Sequence, residues 1–171
     1  MQLESFLRQR PLFFAGFFVC VALIATALIM QHVLGLEPCP LCIFQRVFVM
    51  ALGGVMLVAA LHDPGLLGRR IYGVIIVVLG ALGLVVAGRH VWLQNLPADQ
   101  VPECGPGLEY MLEAFPLTEA LSLVFRGSGE CAEVQWVFLG PTIPGWTLVV
   151  FAGVTVFGLL LVATRLWSAP R

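Results

Sequence analysis

Four apolar runs, each long enough to cross a bilayer, leave few folds open to this chain. A helix rises about 1.5 Å per residue, so about 20 residues cross a hydrocarbon core of about 30 Å. Pro11 to Leu36 carries no formal charge apart from the titratable His32, and predicts a first span over 12–34. The second is predicted over 42–61, with Gly53-Gly54 permitting close helix approach, and it ends at His62-Asp63-Pro64-Gly65, where Pro and Gly stop a helix. Arg69-Arg70 follow in a polar turn, and a glycine-rich third span over 71–89 stops at Arg89-His90. The fourth, over 146–166, is flanked by Trp146 and Trp167 as interfacial anchors. Ala25-Thr26-Ala27 faintly resembles a signal-peptidase site, but the run around it exceeds a cleavable leader, so an uncleaved anchor is expected.

The expected architecture is an all-α membrane protein, a four-transmembrane-helix bundle forming one domain over residues 1–171. Composition agrees, since 60% of residues are hydrophobic and only 11% charged, too few to solvate a water-soluble surface. The nine basic residues are all arginine, and a net charge of −1 gives no field for nucleic acid. Arg8, Arg10, Arg69, Arg70, Arg165 and Arg171 fall at one end of the bundle, whereas only Arg126 lies clearly in the opposite loops. The positive-inside rule therefore puts both termini in the cytoplasm. The chain shows no internal repeat, phosphate-binding glycine loop, His-Glu-x-x-His or Ser/His/Asp arrangement.

Residues 91–145 form a long outward loop with seven acids against the single Arg126. Leu117, Leu121, Val124 and Phe125 share one helical face, with Glu119 and Ser122 off it, which predicts a short helix lying on the membrane.

Cys39-Pro40-Leu41-Cys42 joins the first two spans. Two sulfurs separated by two residues can close a small disulfide ring or open to a dithiol, which suits reversible two-electron chemistry. The spacing also suits zinc, but two more ligands at finger-like spacing would be needed, and none follows within the next helix; no metal is expected. With a helix starting near Leu41, Arg46 stands one turn from Cys42 on the same face. Its guanidinium and the helix N-terminus both favour a thiolate there, whereas in an arbitrary membrane protein such an arginine simply snorkels to the headgroups. Cys20, mid-span without polar company, reads as a buried inert thiol.

Cys104 and Cys131 both sit in the long outer loop. A bridge between them would close 28 residues and contribute about 3.5 kcal/mol on the chain-entropy model, so a purely structural disulfide is one reading. The other is a relay: a loop with little core has little fold to stabilise, yet it could carry a disulfide from a soluble partner to a second pair at the bilayer.

With Cys39-Pro40-Leu41-Cys42 and Arg46, His90 and Gln94 after the third span, Cys104, Cys131-Ala132-Glu133 and then Gln135 to Gly140, the chain resembles the disulfide bond formation protein B family over nearly its whole length. That resemblance implies a bacterial inner-membrane oxidoreductase, cysteines facing the periplasm, that reoxidises the periplasmic thiol oxidase DsbA and reduces a membrane quinone, ubiquinone or menaquinone. It implies redox pairs Cys39-Cys42 and Cys104-Cys131, partner attack at Cys104, onward attack by Cys131 on Cys39, and quinone reduction at Cys42 beside Arg46. It makes His90 and Gln94, four apart on one face, candidates for the quinone pocket. The rival readings are a paralogous oxidase serving another partner, a vitamin K epoxide reductase-like bundle, disfavoured because the Cys-x-x-Cys opens the second span here, and a non-catalytic scaffold with two structural disulfides.

Overall fold

The computed structural model describes residues 2–102 and 116–163. Cys104, Arg165, Trp167 and Arg171 lie outside these. Four long helices carry the fold: α1 Gln2–His32, α2 Pro40–His62 and α3 Leu66–Gln94, then, after a 3-10 turn at Ala98–Gln100 and the short helices α4 Leu117–Arg126 and α5 Gly129–Ala132, the last helix α6 Ile143–Ala163. All four long helices are long and apolar enough to cross a membrane, and no strand occurs among the described residues beyond one isolated bridge between Val137 and Thr142. This is a four-span all-α membrane protein. Large side chains such as Phe18, Val47, Val58, Val78, Val85 and Val149 point away from the bundle, an arrangement that would aggregate in water and is required against lipid.

α1 packs on α2, α2 on α3 and α3 on α6. An edge-to-face pair between Phe13 and Phe157, centroids 6.3 Å apart, brings α1 to α6. Short connections alternate the helix directions. On α2 the buried positions Leu41, Gln45, Val49, Leu52 and Met56 form one stripe at helical spacing, and on α3 the stripe is Arg69, Gly73, Ile76, Gly80, Gly83, His90 and Leu93. Small residues set the α3–α6 distance. A Cβ on Gly158 would stand 3.0 Å from the Gly73 carbonyl and 3.0 Å from the Val77 nitrogen, so the two backbones touch. Phe151, fully buried, fills the notch at Gly83.

The helix ends differ from the sequence expectation where a charged residue can remain helical without facing lipid. α3 starts at Leu66, five residues before the expected 71, and the expected polar turn at Arg69 is its first turn, with Arg69 buried. It runs on to Gln94, past Arg89 and His90, because His90 lies on the buried stripe and Arg89 stacks over Trp92, 4.1 Å from the ring centroid. The break between α2 and α3 falls at His62-Asp63-Pro64-Gly65 as the residues suggest. Asp63 closes α2 in the left-handed conformation (φ 49°) and its carboxylate takes Arg10 at 3.4 Å. Cys20 is buried in the main core beside Gly53.

Candidate functional site

At the opposite end of the bundle from Asp63, the chain leaves α1 through Gly35 (φ 66°) and returns as α2 with Cys39 at its N-cap and Pro40 in its first turn. Proline suits that position, since its missing N–H would have no helical partner there. Cys42 then sits in the first turn, and the two sulfurs approach to 3.2 Å. Cys39 is 6% exposed and Cys42 is half-buried.

Three elements converge on this pair. From α3, the His90 ring lies with Nε2 3.7 Å from the Cys39 sulfur and Nδ1 4.0 Å from the Cys42 sulfur. His90 is 2% exposed, and its Nδ1 also meets the Gln45 amide nitrogen at 3.0 Å. Gln45, itself 4% exposed, accepts on its oxygen from the Thr147 hydroxyl of α6, and Thr147 lies 2.9 Å from the Pro144 carbonyl. The link from Thr147 through Gln45 fixes the imidazole against the sulfurs.

From the loop, α5 carries Cys131, 0% exposed, into a cluster with Cys39, Leu41, Val86, Leu93 and Val124. The neighbouring Cys39, then burial, then the charge Cys39 can carry, push the Cys131 thiol well above the usual thiol range. Ser128 Oγ stands 3.7 Å from its sulfur. Gly127 (φ 85°) makes the turn between α4 and α5, and a Cβ there would collide with Leu93. Val124 of α4 closes the cluster from above, while Phe125 stacks on Phe44, and its carbonyl accepts from Arg89 at 3.2 Å. α4 is thus docked on the bundle through Val124 and Phe125.

Arg46 stands one turn from Cys42 on α2, as its spacing predicts, and its guanidinium is anchored to α1. Its guanidinium donates to the Gln31 side-chain oxygen and, at 3.2 Å, to the Ala27 carbonyl, both on α1, rather than to the Cys42 sulfur. Helical spacing brings Arg46 to the Cys42 face, but its long side chain reaches the acceptors that α1 offers. Gln94 is also taken up: its nitrogen donates to the Glu133 carbonyl at 3.4 Å and its oxygen accepts from Thr142 at 2.8 Å, which pins the loop to α3. Gln135 adds a bond to the Glu37 carbonyl at 3.3 Å, joining the two outer loops. A small cleft remains beside the sulfurs, lined by Cys39, Cys42, His90, Gln94, Gln135, Trp136 and the exposed Glu130 and Glu133.

Sequence reasoning missed Gln45 and Thr147. The signal for Gln45 was present, since it is the single polar member of the stripe Leu41, Val49, Leu52, Met56, and an amide on a buried intramembrane stripe needs a partner. Thr147 carried none, because a threonine near a helix start usually bonds its own backbone.

Four apolar helices with a dithiol, an imidazole and a third thiol gathered at one end define a multi-pass membrane protein built for thiol chemistry. Residues 9–161 match the family described as "Disulfide bond formation protein DsbB". The chain is 61% identical over 165 residues to the disulfide bond formation protein B of Nitrosococcus oceani, covering 96% of this chain and 94% of that one. It is 51% identical over 170 residues to the protein of that name from Saccharophagus degradans, covering 99% and 96%. For that of Marinobacter nauticus the figures are 51% over 163 residues, covering 95% and 96%. The chain belongs to the DsbB family of membrane disulfide bond formation proteins.

Proposed function

We propose that this protein reoxidises a periplasmic DsbA-like dithiol oxidase and delivers the two electrons to a membrane quinone at the bacterial inner membrane. The observation that carries this reading is the line of sulfurs, Cys131 against Cys39 and Cys39 3.2 Å from Cys42, leading from the loop to the bundle. In the proposed sequence a partner thiolate attacks Cys104 and breaks a Cys104–Cys131 disulfide. Cys131, released beside Cys39, forms the next disulfide with it and displaces the Cys42 thiolate, so the electron pair comes to rest on Cys42. His90 touches both sulfurs and supplies a group that takes up or returns their protons.

The residues around Cys42 fit a quinone. Cys42 is the less buried sulfur of the pair, and Arg46 has more N–H donors than its two bonds to α1 employ. A bound quinone supplies an acceptor oxidising enough to regenerate a strong thiol oxidant, which nicotinamides and glutathione are not. Arg46 would hold it, with His90 and Gln94, which line the cleft beside the sulfurs.

The test is quinone extraction from the purified protein, followed by quinone reduction with a reduced DsbA-like partner. One quinone reduced per partner dithiol oxidised is expected; a protein with no quinone and no thiol-dependent reduction is a scaffold. Arg46→Gln should raise the apparent quinone KM or slow turnover about tenfold while insertion persists, with partial rescue by Arg46→Lys, whose ammonium lacks the planar fork. Unchanged kinetics in Arg46→Gln would reduce the residue to a clamp between α1 and α2.

The orientation is tested separately. Reporters fused after Arg171 or inserted at Arg69 should be active only in the cytoplasm, and one at Asp99 only outside. A cytoplasmic Asp99 would place the cysteines in a reducing compartment and end the scheme.

A further inference from the structure

We propose that the reduced Cys39–Cys42 pair and His90 form a zinc-binding site that exists only in the dithiol state. One donor atom from each residue lies within 4.8 Å of the others. Tetrahedral zinc, about 2.3 Å from sulfur and about 2.0 Å from nitrogen, needs sulfurs about 3.8 Å apart and sulfur to nitrogen about 3.5 Å. The sulfurs stand at 3.2 Å and Cys39 at 3.7 Å from Nε2, so the sulfurs must open by about half an ångström and the Cys42 sulfur, now 4.0 Å from Nδ1, must swing toward Nε2. A third ligand was invisible at finger-like spacing because it arrives from another helix, 48 residues beyond Cys42.

The surroundings complete the case. A ligating histidine is normally oriented through its other ring nitrogen. Here Nε2 faces Cys39, and Nδ1 is held by Gln45. With zinc on Nε2, Nδ1 carries the proton, and rotation of the Gln45 amide presents its oxygen to that N–H. The amide nitrogen then donates to the Thr147 hydroxyl, which donates to the Pro144 carbonyl at 2.9 Å, leaving the chain satisfied. Zinc displaces one proton from each of the two thiols to solvent, and nothing is oxidised or reduced. Two thiolates neutralise the divalent ion, which suits a buried site. The fourth position is open to water or to Cys131 beside Cys39, and Glu130 and Glu133 at the cleft draw a cation inward. Soft thiolates with imidazole select zinc over magnesium or calcium.

The consequence for turnover rests on the proposed function: zinc-held thiolates cannot be reoxidised, so zinc arrests the protein in its reduced form. The experiment uses the full chain in detergent with Zn2+ as the probe, in competition with a zinc indicator, and without partner or quinone. The reduced protein should bind one equivalent at the site and the oxidised protein none there, with affinity falling tenfold or more in His90→Ala and in Gln45→Leu. X-ray absorption at the zinc edge of the wild type should show two or three sulfurs and one imidazole nitrogen. This arm holds even where a variant misfolds. Equal binding by oxidised and reduced protein, or a zinc shell lacking sulfur or imidazole, overturns the site. A protein that binds zinc this way but reduces no quinone would instead overturn the proposed function and leave the zinc site standing.

Discussion

Cys131→Ser should abolish turnover and capture the oxidised partner as a stable mixed disulfide on Cys104. In the proposed relay that adduct is transient, because Cys131 both leaves from Cys104 and offers the thiol that returns to displace the partner. Serine removes both roles at little change in volume, although a hydroxyl fills the buried position beside Cys39 less well than sulfur. Cys104→Ser should give no adduct, since the remaining thiol is 0% exposed beneath Val124 and cannot meet a protein-sized partner. Cys20→Ser should leave capture and turnover unchanged, its sulfur lying in the main core far along α1. Non-reducing electrophoresis reads all three. Capture by Cys104→Ser but not by Cys131→Ser would reverse the assignment, and capture by neither would favour two structural bridges.

The largest effect on stability is expected at Gly158. Leucine there drives a side chain into the Gly73 carbonyl and the Val77 backbone, and backbone cannot rotate away as a side-chain tip can. Forcing α3 and α6 apart also loosens Phe151 in its notch at Gly83. A loss of about 3 kcal/mol follows from overpacking of this kind, or roughly 10 °C in the Tm of the detergent-solubilised protein. Gly153→Ala on the same helix is the control, because a Cβ there meets nothing within 4 Å and alanine is the better helix former. Equal Tm for Gly158→Leu and the wild type would show that the two helices do not touch as described.

The fold was legible because lipid permits so little: four apolar runs of sufficient length can only be helices, and Asp63-Pro64-Gly65 marks a break whatever the partner helix. Helix ends were less legible, since Arg69 and His90 resemble span ends until the neighbouring helices that cover them are known. The site was readable where chemistry is local, in the Cys39–Cys42 spacing, and unreadable where it is assembled across helices. No sequence distance announces that Gln45 and Thr147 brace His90, or that Arg46 finds its acceptors on α1. Cys104 lies outside the described residues, so its part rests on the family resemblance and the capture experiment.

The depth of Cys131 has a consequence for fidelity. In the proposed relay, a small thiol that reached an exposed disulfide would short-circuit the exchange by draining oxidising equivalents. With Val124 above it, Leu93 beside it and Gly127 shaping the turn that carries it inward, this sulfur is insulated from solvent while remaining in contact with Cys39. Its effective molarity toward Cys39 is set by the fold and not by concentration, and intramolecular reactions in good alignment reach about 10⁵ M or more. An insulated wire tolerates a noisy environment: in the proposed relay, the internal exchange can outrun leakage by proximity alone.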